Sequence, residues 1–235
     1  MKLEGVLTKD DEKLLNGLDF SQLSTLKNRE QVWLQVKNGK FSASLFYRLM
    51  TDQKTRGLSK GAMTYVTEII LQRETDGETE QYNLKQFKHG KEYEKEAVEE
   101  FQKRTGETIT KYGEEQEFIQ ISDYVGCTPD GLIGENKGIE TKCPDSKTHY
   151  FNLLNLKAEN IKEIYPEYYW QIQGSLYITG RKSWYFVSYD PRFKNPEKRI
   201  LILEIKRNEE DITDLKRKLF DAVAEVKKGV QFLNS

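Results

Sequence analysis

Residues 126–144, GCTPDGLIGENKGIETKCP, constrain the fold more than any other part of this 235-residue chain. Two short runs, DGLIG and GIETKC, flank Glu-Asn-Lys-Gly, the signature of a β-hairpin. Side chains on a strand alternate between faces, so Ile139, Thr141 and Cys143 share one side while Glu140 and Lys142 share the other. The apolar set belongs in a core, which leaves an acid and an amine projecting together. Asp130 precedes the first arm, and a tight turn returns it beside Glu140.

Two carboxylates side by side repel, and a divalent cation relieves the repulsion. Mg²⁺ prefers oxygen ligands and keeps several waters. A lysine beside it can position or deprotonate a water and neutralise charge developing on a phosphate. The pattern therefore predicts metal-assisted phosphodiester hydrolysis. The bland alternative is a surface hairpin with one Glu–Lys pair, worth about a few tenths of a kcal/mol. A second observation favours the site. Leu84, Phe87, Ala97, Val98 and Phe101 form a helical stripe that also includes Glu94. An unpartnered glutamate on an apolar face costs several kcal/mol, and a cation in a cleft would serve as its partner.

The rest of the chain sets the frame. With 37% apolar and 32% charged residues, it can bury a core beneath a charged surface. No apolar run approaches the roughly 18 residues needed to span a bilayer, and the first residues, MKLEGVLTKDDEKLLNGLDF, carry charges where a signal peptide needs an apolar block, which predicts a cytoplasmic protein with no membrane association. Cys127 and Cys143 form no CxxC pair, and His89 and His149 lie far apart, so structural zinc is not expected. Counting alone leaves a Cys–His dyad open, with buried reduced thiols the simpler reading. The net charge of −1 does not suggest nucleic acid, but basic residues gather at 37–60 and 192–207 while acids dominate 91–117. Such segregation could build a basic groove.

Residues 1–30 read as an arm with short helical pieces and residues 31–235 as a single domain. SASLFYRLM and SKGAMTYVTEIILQRE read as helices opening at serine caps, followed by a helix from Leu84 to Arg104. EFIQISDYVGC reads as one strand; HYFNLLNL and YYWQIQGSLYIT return to helix. SWYFVSYD and RILILEI read as two central strands. Ile212, Leu215, Leu219, Val223, Val226, Val230 and Leu233 mark a last helix. The order predicts an α/β fold, a central mixed sheet flanked by helices. Trp33, Trp170 and Trp184 are expected in the core, and His149 is a minor candidate for a DNA contact.

TPDGLIGENKGIETKCP, with HGKEYEKEA, QIQGSLYITGRKSWYFVSYDPR and WLQVKNGKFSAS, resembles the lambda exonuclease or YqaJ-type viral recombinase family of PD-(D/E)xK nucleases over roughly residues 30–207. The resemblance implies the restriction-endonuclease-like core and a 5′→3′ exonuclease on linear double-stranded DNA that leaves 3′ single strands for phage-type recombination. It implies two Mg²⁺ ions, with Mn²⁺ as a substitute, a ring-shaped homotrimer threaded by DNA, and a single-strand annealing protein as partner. It also implies a phage or prophage origin and a bacterial host cytoplasm. Residue by residue, Asp130 and Glu140 would ligate metal with the Thr141 carbonyl, and Glu94 would complete a second metal position. Lys142 would handle the nucleophilic water, supported by Gln171. The family's pocket for a terminal 5′-phosphate, an arginine and two serines, falls on Lys37, Ser44 and Thr128. Lys37 departs from arginine and lacks its bidentate fork.

Two other functions compete with this one. An endonuclease on the same core would cut circular DNA, although no separate specificity domain is evident. A non-catalytic DNA-end binder would be expected to lose one of Asp130, Glu140 and Lys142, and all three are present.

Overall fold

The computed structural model of the chain describes residues 36–51, 57–75 and 84–235, with side chains from residue 93 onward in the last segment. The arm expected over residues 1–30, Trp33, Lys54 and Arg56 lie outside the described residues, as do the side chains of Leu84, Phe87 and His89. The elements begin with β1 (Phe41–Ser42), α1 (Lys60–Glu74), α2 (Leu84–Thr105), β2 (Ile109–Thr110), β3 (Ile119–Ser122), β4 (Val125–Cys127), β5 (Gly131–Ile133) and β6 (Lys137–Lys142). Then come α3 (Ser146–Asn155), α4 (Ile161–Ile164), α5 (Pro166–Thr179), β7 (Ser183–Tyr189), β8 (Ile200–Lys206) and α6 (Glu209–Leu233).

The larger sheet has the order β2-β5-β6-β7-β8, and a smaller one the order β1-β4-β3. Within the larger sheet β6 and β7 run parallel and the other pairs antiparallel, so it is mixed. A parallel pair needs a long crossover, here the three helices α3 to α5. The sheet is covered on both faces. Ile139, Val187 and Tyr189 pack with Ala97, Val98 and Phe101 of α2. Trp184 and Phe186 point the other way, into the cluster of Ile172 and Leu176 from α5 and Ile212, Leu215 and Leu219 from α6. This is the α/β fold the sequence predicts.

Several local expectations change. EFIQISDYVGC is not one strand but two, β3 and β4, paired antiparallel with an irregular register at Gln120/Ser122. Of the two central strands expected, β7 is internal but β8 is an edge. SASLFYRLM forms a 3-10 helix over Ala43–Arg48, and Ser42 makes no side-chain cap. Ser59 does cap α1, accepting from the Ala62 amide at 3.1 Å. Trp170 and Trp184 are buried as expected. His149 is buried too, its ring bonded to the Ser188 hydroxyl at 2.8 Å and the Lys198 carbonyl at 2.9 Å, so it is a packing residue and offers DNA nothing.

Candidate active site

The hairpin register builds the centre. Gly131 pairs with Ile139, so one further step places Asp130 opposite Glu140. The next residue is Pro129, which has no N–H, and the ladder stops. The Thr141 amide, released from strand pairing, donates to Asp130 Oδ2 at 2.6 Å, and the Thr141 hydroxyl donates to the same oxygen at 2.9 Å. Asp130 is thereby fixed through one oxygen.

Glu140 is almost fully buried. Its Oε1 accepts from Lys142 Nζ at 2.5 Å and from Gln171 Nε2 at 2.7 Å. Its Oε2 is buried with no hydrogen-bond partner. Gln171 thus turns its amide to Glu140, where the resemblance expected it beside Lys142 or a water; both donors converge on one acceptor. The Tyr168 ring lies 5.1 Å from the Lys142 ammonium and stacks on Phe186, closing the other side of the lysine.

Glu94 projects from the middle of α2, half-buried, and its Oε1 accepts from Gln116 Nε2 at 2.7 Å. Burial, reinforced by Asp130 and Glu140, pushes its carboxyl up to about 8. Burial and Asp130 push Glu140 up to about 7, against the pull of Lys142 and Gln171. Asp130 is raised as well by burial, offset by Lys142 and Thr141. Burial works against the Lys142 charge, but Glu140 and Asp130 outweigh it and raise the ammonium above the usual lysine value. Three acids that share one field and resist ionisation form a site short of positive charge. Among the described residues no three Asp, Glu, His or Cys side chains cage a cation by themselves.

The residues expected at a 5′-phosphate lie alongside. β1 and β4 run parallel with Ser42 opposite Gly126, so Ser44 and Thr128 each follow the last pair by two residues. Thr128 Oγ1 is buried without a partner, while Ser44 is exposed with its hydroxyl 3.2 Å from that of Ser42. Lys37 exerts a weak electrostatic pull on the Asp130 carboxyl and on the Cys127 thiol.

Part of the basic charge in the two runs is spent internally. Arg48 pairs with Glu68, Arg192 with Asp190 and Arg207 with Glu209. Lys206 and Arg207 also stand at the far end of β8 from Arg192. Burial pushes both thiols up to about 12, and His149 is engaged by Ser188 and Lys198, so neither Cys127 nor Cys143 forms a dyad with it. Gln116 and Tyr168 are the site neighbours that sequence reasoning missed. Neither has a local signal, since each meets its partner only through tertiary packing.

Residues 32–182 match the YqaJ-like viral recombinase domain. The chain is 28% identical to an alkaline exonuclease, LHK-Exo, from Laribacter hongkongensis, with a TM-score of 0.72 over 87% of this chain and 96% of that one. A structure of LHK-Exo in complex with dAMP superposes with a TM-score of 0.71 over 86% of this chain and 95% of that one. A phage-related exonuclease from Haemophilus somnus 129PT, 17% identical, shares the fold with a TM-score of 0.68 over 85% of this chain and 98% of its own. In Escherichia coli (strain K12), the protein ExoD is 29% identical over 80 residues, 31% of this chain and 90% of that protein.

Proposed function

The chain belongs to the YqaJ-like viral recombinase family, and on that premise we propose that it is a 5′→3′ exonuclease acting on linear double-stranded DNA to leave 3′ single-stranded tails for recombination. A nuclease of recombination that uses a divalent metal and acts on DNA ends is what the family and its exonuclease neighbours support.

One observation carries the assignment of the site. Glu140, whose strand position lies opposite Asp130, commits one carboxylate oxygen to Lys142 and Gln171 and buries the other with no partner. A buried carboxylate oxygen left unsatisfied is costly, and a cation would satisfy it. Asp130, Glu140 and the Thr141 carbonyl would hold Mg²⁺, with Mn²⁺ an acceptable substitute, and Glu94 would complete a second position. Bound there, a divalent ion would stabilise charge on the scissile phosphate and make a water more acidic. Lys142, held as an ammonium by Glu140 and Tyr168, serves as a point charge and hydrogen-bond donor toward the phosphate or the attacking water. Gln171 holds Glu140 through Oε1, which would leave Oε2 available to a cation. Thr128, Ser44 and Lys37 would receive the terminal 5′-phosphate, for which the unpartnered Thr128 hydroxyl is suited. A homotrimeric ring around the duplex and a single-strand annealing partner complete the reading and rest on family resemblance.

The test is incubation with linear duplex labelled at the 5′ or 3′ end, in Mg²⁺ or EDTA, beside a covalently closed circle. Loss of 5′ label first, only in Mg²⁺ and only from linear DNA, is expected. Cutting of the circle would make the protein an endonuclease, and full activity in EDTA would end the two-carboxylate account.

A further inference from the structure

We propose that Gln116 is a positioning residue for the metal site, pinning Glu94 Oε1 so that Oε2 is the oxygen offered to a second cation. The inference rests on the reading of Glu94 as a metal ligand and adds the device that aims it. Glu94 carries three rotatable side-chain bonds, and ordering such a chain costs entropy when a cation binds. A donor that fixes the carboxylate beforehand removes part of that cost, the usual role of groups that hydrogen-bond to metal ligands. Gln116 Nε2 supplies the bond at 2.7 Å, across 22 positions of sequence.

The segment that presents Gln116 is built for placement. Lys111 holds a positive φ of 57°, rare for a residue with a side chain, and Gly113 follows at 62°. Between them Tyr112 packs against the Ile139 cluster, anchoring the turn to the strand that bears Glu140. A 3-10 turn over Gly113–Glu115 leads to Gln116, and the Lys111–Glu117 ion pair closes the loop at 2.5 Å. The chain then enters β3, which pairs with β4, and β4 runs straight on to Thr128 and Asp130. One continuous path thus carries both the glutamine that aims Glu94 and the aspartate that faces Glu140.

Titration of the metal-free full-length protein with Mn²⁺, read as loss of the free-ion electron paramagnetic resonance signal, tests this without DNA. Gln116→Leu keeps the volume and removes the donor. It is expected to weaken the weaker Mn²⁺ site about 10–100-fold while sparing the tighter one. The Mg²⁺ concentration for half-maximal cleavage should rise with little change in rate at saturation. Gln116→Asn, an amide one methylene too short, should behave likewise and serves if the leucine variant melts early in EDTA. In a Glu94→Gln background Gln116→Leu should add nothing, because there is no carboxylate to aim; a persisting effect would mark a mere loop tether and overturn the proposal. If Glu94→Gln weakens Mn²⁺ binding but Gln116→Leu does not, the positioning role alone fails. If Glu94→Gln leaves both sites unchanged, the ligand reading of Glu94 fails and the proposal with it.

Discussion

Lys142 shows how much a single side chain depends on its setting. Its ammonium is clamped between Glu140 and the Tyr168 face, so it stays charged, and in the proposed function it is the donor toward the phosphate. Lys142→Ala should therefore lower the cleavage rate about 10²–10³-fold, as loss of such electrostatic donors does. Arginine should rescue poorly, because its wide fork cannot fit the clamp; single-turnover rates within a few-fold of wild type would refute the role. Lys37 supports a second comparison. Lys37→Ala should slow degradation of 5′-phosphorylated ends far more than 5′-hydroxyl ends, since only the dianion pairs with the lysine. Equal losses on both ends would reduce Lys37 to general attraction for DNA. The carboxylates predict a pH effect on the metal-free protein. Glu94 at about 8 and Glu140 at about 7 stand above the ordinary value of 4.5. A group raised on folding contributes stability below its unfolded value, and that contribution is lost as pH rises through its folded value. In EDTA the melting temperature should thus fall between about pH 5 and 8.5. Glu94→Gln should flatten the decline. Thermal scans across that range check it, and a rise would reverse the assignment.

At the scale of elements, the hairpin was legible because its glycines and its alternation both act locally. Gly138 illustrates the constraint: a Cβ there would stand 2.4 Å from the Trp184 ring, which is fully buried and cannot yield. Gly138→Ala should cost about 1–3 kcal/mol by overpacking, measurable as a lower denaturant midpoint with unchanged slope. The last helix was legible for the same reason, its apolar period running unbroken. The β3–β4 turn was not, because Asp123-Tyr124 interrupts the apolar run without glycine or proline to mark it. The edge position of β8 was hidden as well, since strand order is decided by crossovers and not by composition. Within the site, Asp130, Glu140 and Lys142 share one hairpin, so spacing alone brought them together. Glu94 was visible as a charge out of place on an apolar stripe. Gln116 and Tyr168 come from separate elements and carry no such contradiction, so only the packed structure reveals them.

For the whole molecule the question is how a nuclease keeps hold of its substrate. A net charge of −1 gives the chain no overall attraction to DNA, and three arginines of its basic runs, Arg48, Arg192 and Arg207, are ion-paired within the fold. Electrostatic grip alone would be weak and quickly lost with salt. Enclosure offers another means, because a duplex threaded through a closed ring cannot leave sideways whatever the ionic strength. A ring of identical subunits requires a heterologous interface whose rotation closes, and the resemblance implies three copies. Light scattering should therefore give about three times 27.6 kDa. In a challenge with excess unlabelled duplex, moderate salt should slow loading onto ends much more than it shortens the tract degraded per binding event, since loading depends on charge and retention on topology. A strictly monomeric protein of full activity, with tract length falling steeply as salt rises, would leave the nuclease standing and remove the ring.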